Sequence, residues 1–245
     1  MSSPVQLPRR GARTDTRATT PRVLVLGNPN AGKTSLFNRL AGTNLRVGNY
    51  PGVTVEHAFA TVQAPGGPIE LVDLPGTYSL CGRSAEERIA VDALLGHRGQ
   101  PPPDAVVVVI DLTQLQRGLY LALQVVELGL PTVLALNMAD DAARLRIDVD
   151  LVGLGAAIGV PTLSVSARTG DGVLELLSRI SWVLDHPDRA RSSFATALPP
   201  ALEPALVAAA GVVSGLVGAV APQSARAVGL WALMSIERGD DEPAP

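Results

Sequence analysis

Residues 22–42 read RVLVLGNPNAGKTSLFNRLAG. The run from Val23 to Leu26 is uniformly aliphatic, as in a strand buried on both faces. Directly after it, Gly27-Asn28-Pro29-Asn30-Ala31-Gly32-Lys33-Thr34 fits the pattern G-x-x-x-x-G-K-[ST], and a helical stretch follows. Strand, glycine-rich turn and helix are the context in which that pattern binds phosphate. Gly27 and Gly32 let the backbone of Asn28, Asn30, Ala31 and Ser35 curl its N–H groups around phosphate oxygens, and the helix N-terminus adds partial positive charge. Lys33 supplies a compact ammonium between the β- and γ-phosphates, and Thr34 offers its hydroxyl to Mg²⁺. Lys33 is also the only lysine among 20 basic residues. Genomic base composition explains a bias towards arginine. It does not explain why the one exception falls where a point charge suits the geometry better than a fork.

Three further stretches extend this reading. Asp73-Leu74-Pro75-Gly76 follows the strand-like run IELV. An Asp at the C-terminal end of a strand can hold a Mg²⁺-bound water, and Gly76 can present its N–H to a γ-phosphate. Asn137-Met138-Ala139-Asp140 follows TVLAL. A carboxylate there accepts both N1–H and N2–H₂ of guanine, which adenine does not offer. The plain alternative is a helix start, where Asp140 and Asp141 complement the dipole; after two phosphate motifs, guanine recognition is expected. Ser166 and Ala167 close the next apolar run, and their backbone can contact the guanine oxygen. Between the phosphate motifs lies Val47-Gly48-Asn49-Tyr50-Pro51-Gly52-Val53-Thr54-Val55-Glu56. It is rich in Gly and Pro and carries Thr54, able to complete a Mg²⁺ shell, as in a nucleotide-sensing switch loop. Thr77 stands where related enzymes carry a water-orienting Gln, so slow intrinsic hydrolysis is expected.

Composition excludes several classes. The chain has 245 residues, a formal net charge of −3 and 18% charged residues. This argues against a basic nucleic-acid-binding surface and against an acidic disordered chain. A single cysteine, Cys81, permits neither an intrachain disulfide nor a Cys-built metal site. Cys81, His57 and His97 read as structural, and Glu86 and Glu87 as exposed helix residues.

Short apolar runs alternate with helical patterns from residue 21 to about 187, which predicts a mostly parallel six-stranded sheet with helices on both faces. Residues 55–63 alternate like an edge strand with one wet face. Residues 1–20 read as a disordered tail, 21–187 as one α/β domain, and 188–245 as a partial all-α domain. Within the last, residues 205–221 carry no charge. They fall short of the roughly 20 residues that a membrane span needs. A buried helix is expected instead, with Ala208, Gly211, Gly215 and Gly218 forming a small-residue stripe beside Leu206, Ala210, Val213 and Val217.

The elements GNPNAGKTSLFN, VGNYPGVTVE, DLPGTYSL, NMAD and SAR together resemble the cytosolic domain of the ferrous iron transport protein B family, bacterial membrane transporters. The resemblance covers about residues 22–185 closely. It continues more loosely through LPPALEPAL and VGLWALMSIERGDDE, which are similar to that family's helical, nucleotide-release-modulating domain. It implies a Ras-like P-loop GTPase fold and a slow, K⁺-stimulated GTPase regulating or driving iron uptake. Lys33, Thr54 and Gly76 would then be catalytic. Thr34, Thr54 and Asp73 would hold Mg²⁺, and Asn30 would hold K⁺. GTP or GDP would contact residues from Gly27 to Ser35, Gly52, Thr54, Asp73, Gly76, Asn137, Met138, Asp140, Ser166 and Ala167. Met138 replaces the usual Lys of the N-K-x-D motif. The implied partners are the transporter's own membrane portion, at the cytoplasmic face of the bacterial inner membrane, and small accessory proteins or a homo-oligomer. Nucleic acid is not among them. A free-standing ribosome- or tRNA-associated GTPase would need a basic appendage, and residues 188–245 show none.

Overall fold

A computed structural model describes residues 20–49, 56–97, 100–217 and 222–235. In chain order its elements are β1 (Arg22–Gly27), α1 (Lys33–Ala41), β2 (Leu45–Asn49), β3 (Glu56–Ala64), β4 (Gly67–Asp73), α2 (Ala85–Leu95), β5 (Ala105–Asp111) and α3 (Leu115–Glu127). There follow β6 (Thr132–Asn137), α4 (Ala139–Arg144), α5 (Leu151–Ile158), β7 (Thr162–Ser164), α6 (Val173–Asp185), α7 (Glu203–Val217) and α8 (Pro222–Ser235). The strands form one sheet in the order β2-β3-β4-β1-β5-β6-β7. Pairs from β4 through β7 are parallel, whereas β2-β3 and β3-β4 are antiparallel.

The aliphatic strands are buried on both sides because successive side chains enter opposite layers. Leu24, Leu26, Val108, Ile110 and Leu136 pack with Leu94 of α2, Leu121 and Val125 of α3 and Trp231 of α8. Val23, Val25, Val107, Val109 and Val133 pack with Leu36 and Phe37 of α1 and Ile180 of α6. Each fully buried side chain of this size stabilises the fold by about 1.5–3 kcal/mol. Gly118 lets α3 lie close to β5, since a Cβ there would stand 2.3 Å from Ile110 Cγ2.

Three expectations need correction. The sheet has seven strands, not six. The added strand, β2, reads LRVGN and exposes 43% of Leu45 and 61% of Val47. It is held by its antiparallel ladder to β3, from Leu45 opposite Ala60 to Asn49 opposite Glu56, so no apolar pattern marks it. The first three residues assigned to the switch loop, Val47, Gly48 and Asn49, therefore belong to a strand. In consequence β3 is second from the edge rather than the edge itself.

The third correction concerns the uncharged helix. Leu206 is buried, but Val207 and Val212 are 68% and 62% exposed, and Ala208 and Gly211 face solvent. The close approach to α8 is made from the other side: a Cβ on Gly229 would stand 2.9 Å from the Ala210 nitrogen. A Cβ on Gly211 would meet nothing within 4 Å. With α8 as its helix neighbour, α7 buries Leu206 and leaves most of its described positions exposed; Gly218 and the side chains of Val213, Gly215 and Val217 lie outside the described residues. Among the described residues no helix is long and apolar enough to cross a membrane.

The first turn of α8 is tied to the sheet domain. Ser224 Oγ donates to the Leu128 carbonyl at 2.6 Å, and Gln223 Nε2 donates to the Ser192 carbonyl at 3.0 Å. Residues 1–19, 50–55 and 236–245 lie outside the described residues, and with them the expected tail, Gly52, Thr54 and the acidic C-terminus.

Candidate functional site

The strands β1, β4, β6 and β7 run parallel, so their carboxyl ends lie on the same side of the sheet and the loops that follow them meet there. The loop after β1 is the glycine-rich turn. Asn30 (φ +67°) and Gly32 (φ +73°) adopt left-handed backbone, turning the chain into α1. Both motif glycines are fixed by crowding. A Cβ on Gly27 would stand 2.4 Å from the Val109 carbonyl oxygen, and one on Gly32 would stand 2.3 Å from Asn137 Nδ2. Asn28 is buried and donates Nδ2–H to the Arg117 carbonyl at 3.0 Å, tying the turn to α3.

Lys33 opens α1 with its side chain only 8% exposed, and its ammonium pairs with the Asp73 carboxylate at the end of β4. Burial holds the Asp73 carboxyl above the usual carboxylate range, an effect that the nearby Lys33 charge partly offsets. The segment after Asp73 is pinned against β1: Leu74 N–H donates to the Val25 carbonyl at 2.9 Å and Thr77 N–H to the Gly27 carbonyl at 3.2 Å. Gly76 consequently lies against the turn, where a Cβ would be 3.2 Å from Pro29 Cα. Asn28, Asn30, Gly32, Lys33, Thr34, Ser35 and Gly76 line one open cleft of about 370 Å³. Thr77 is buried, and its hydroxyl donates to the Ser79 carbonyl at 2.9 Å, so the side chain closes its own loop.

At the ends of β6 and β7, Asn137 joins two loops. Its Nδ2–H donates to the Ala31 carbonyl at 3.0 Å, and its Oδ1 accepts the Ala167 N–H at 2.9 Å. Met138 has left-handed backbone (φ +64°) and caps α4. Asp140, in the first turn of α4, accepts from Ser166 Oγ at 2.8 Å and from Arg168 Nε at 2.6 Å. The Ser166 hydroxyl first, and Arg168 after it, hold its carboxyl below the ordinary range.

The structure thus brings together Gly27 through Ser35, Asp73 and Gly76 at one end, and Asn137, Met138, Asp140, Ser166 and Ala167 at the other. Gly52 and Thr54 lie outside the described residues. Sequence reading missed three side chains. Arg168 pairs with Asp140, and Arg39 donates to the Ala167 and Arg168 carbonyls. Glu87 is a clasp rather than an exposed residue: it accepts from Arg83 N–H at 2.7 Å, from Ser79 Oγ and, in a capping box, from Ser84 N–H. The S-x-x-E spacing before α2 was the available signal for that box.

Residues 21–180 match the family model described as ferrous iron transport protein B. The chain is 39% identical over 159 residues to the Fe(2+) transporter FeoB of Leptospira biflexa, covering 65% of this chain and 23% of that one. Against the cytosolic domain of L. pneumophila FeoB the TM-score is 0.74 at 34% identity, covering 86% of each chain. A mutant S. thermophilus NFeoB bound to GDP gives a TM-score of 0.72 at 35% identity, covering 86% of this chain and 78% of that one. The chain spans about a fifth of the length of the curated relatives it matches. The architecture is therefore that of a Ras-like P-loop G domain followed by a helical part.

Proposed function

Since the chain belongs to the ferrous iron transport protein B family, we propose that it is the GTP-binding and GTP-hydrolysing portion of a ferrous iron transporter. In this reading it controls or drives uptake through a membrane portion outside the chain, at the cytoplasmic face of the membrane. Residues 21–187 form the nucleotide-binding unit, and residues 188–245 begin a helical unit that modulates nucleotide release. The carrying observation is the bridge made by Asn137, which holds Ala31 of the phosphate turn and Ala167 of the base loop at 3.0 and 2.9 Å. One side chain thereby fixes the spacing between a site for phosphate and a site for a purine.

Lys33 and the N–H groups of the turn take the phosphates, as the left-handed backbone at Asn30 and Gly32 allows. Asp140 takes the two guanine donors, and Ala167 N–H shares its proton between Asn137 Oδ1 and the guanine O6. Met138 covers one face of the base. Thr34 in the cleft lining and Asp73 beside the Lys33 ammonium are hard oxygen donors and suit Mg²⁺, with Thr54 as the third. Mg²⁺ supplies charge neutralisation between the phosphates. Asn30, exposed beside the phosphate cleft, is the ligand for an activating K⁺. Hydrolysis is slow because Thr77 spends its hydroxyl on Ser79 and orients no water.

The assignment of the base is tested by Asp140→Asn. The variant should lose at least about tenfold in GDP affinity and gain affinity for xanthosine diphosphate, since an amide pairs with the xanthine edge and a carboxylate does not. Unchanged GDP affinity would remove Asp140 from the site.

A further inference from the structure

We infer that Arg39 is a positioning residue for guanine recognition, tying the base loop to the helix that carries the phosphate ligands. Arg39 lies in the last turn of α1, whose first turn holds Lys33 and Thr34. Its Nε–H donates to the Ala167 carbonyl at 2.7 Å and one terminal N–H to the Arg168 carbonyl at 2.6 Å. One planar guanidinium thus binds two successive backbone oxygens, a match for its fixed fork that a lysine cannot reproduce. The contact is closed from a third side: a Cβ on Gly170 (φ +97°) would stand 3.4 Å from Arg39 Cζ.

The bland role for an arginine at this position is a surface charge complementing the C-terminal end of its own helix. Here both hydrogen bonds go instead to a loop 128 and 129 residues away. The rest of that loop is folded on itself, through Ser166 N–H to the Asp171 carbonyl at 2.9 Å and Gly170 N–H to the Ser166 carbonyl at 2.8 Å. A trans peptide places its C=O and N–H on opposite sides. Fixing the Ala167 and Arg168 carbonyls towards α1 therefore orients the N–H groups of Arg168 and Thr169, holds the Cα of Ala167 in place and sets where the Arg168 side chain can point. Arg168 in turn engages Asp140. The inference rests on the guanine reading above, and it assigns Arg39 to the O6 side of the base, through the loop.

The test compares three diphosphates in wild type, Arg39→Ala and Arg39→Lys, with thermal melting to verify folding. GDP and inosine diphosphate both carry O6, whereas 6-thioguanosine diphosphate has a weakly accepting sulfur there and keeps both donors for Asp140. Arg39→Ala should release GDP and inosine diphosphate about fivefold faster, the scale of two exposed charge-assisted hydrogen bonds. It should change release of the 6-thioguanine nucleotide less than twofold, and Arg39→Lys should fall between. Equal loss for all three nucleotides would show a merely structural role and overturn the assignment. Wild-type GDP binding with no effect of Arg39→Ala would overturn it alone. A wild-type chain that binds no GDP would overturn this inference together with the guanine reading beneath it.

Discussion

The Lys33 ammonium and the Asp73 carboxylate pair with each other, one in the first turn of α1 and the other at the end of β4, and both side chains are largely removed from water. Strand register creates the pair: β4 runs parallel to β1 with Asp73 opposite Val25, two residues before the glycine-rich turn. A buried pair of this kind tolerates removal of one member poorly, because the other is left without compensation. In the proposed complex each partner exchanges the other for a new one, Lys33 for phosphate and Asp73 for the Mg²⁺ shell.

Asp73 should make the stability of the nucleotide-free chain fall towards higher pH, the opposite of the usual carboxylate behaviour. Burial raises its folded pKa above the unfolded value, despite the Lys33 charge. The folded state then holds the proton more tightly, so stability falls as pH rises from the ordinary carboxylate value through the raised one. Asp140, whose pKa is lowered by Ser166 and Arg168, acts oppositely: its contribution is present above the unfolded value and is lost as pH falls through the folded one. Melting curves of Asp73→Asn and wild type should diverge in favour of the variant as pH rises through the Asp73 window, then run parallel. A difference independent of pH would contradict this.

Gly32 should be far less replaceable than its backbone angle alone suggests. Gly32 and Gly82 have nearly equal φ values, +73° and +72°. A Cβ on Gly82 would meet only Arg88 Cγ at 4.0 Å, whereas one on Gly32 would strike Asn137 Nδ2. Urea denaturation should find about 1 kcal/mol lost in Gly82→Ala and at least about 3 kcal/mol in Gly32→Ala. Equal losses would mean that the Asn137 bridge yields without cost.

Hydrolysis should depend on K⁺ through Asn30. With Thr77 engaged by Ser79, charge developing between the β- and γ-phosphates needs another source of compensation. An arginine finger supplies ~10³–10⁵-fold at that position, so K⁺ over Na⁺ should give at least about tenfold in single-turnover hydrolysis. Equal rates in the two salts would rule out the mechanism. Stimulation that survives in Asn30→Ala would keep the ion and discard its ligand.

The phosphate and base motifs were legible because their chemistry demands particular residues close together in sequence. Lys33, Asp73 and Asp140 each follow a strand-like run closely in sequence, and β1, β5 and β6 are almost wholly apolar. β2 was not legible, since an exposed strand held by its backbone ladder needs no apolar alternation. The largely apolar α7 was misread because composition reports how apolar a helix is and not how many neighbours it has. Arg39 left no local trace at all: its partners are Ala167 and Arg168, in a loop at the other end of the domain.

The central claim is that these loops form one guanine nucleotide site, and calorimetric titration of the purified chain with GDP and with ADP, each with Mg²⁺, tests it most directly. Saturable GDP binding, with ADP at least about a hundredfold weaker, is the predicted result, because only guanine offers Asp140 two donors. Equal affinities for the two nucleotides, or no GDP binding by the folded chain, would contradict it.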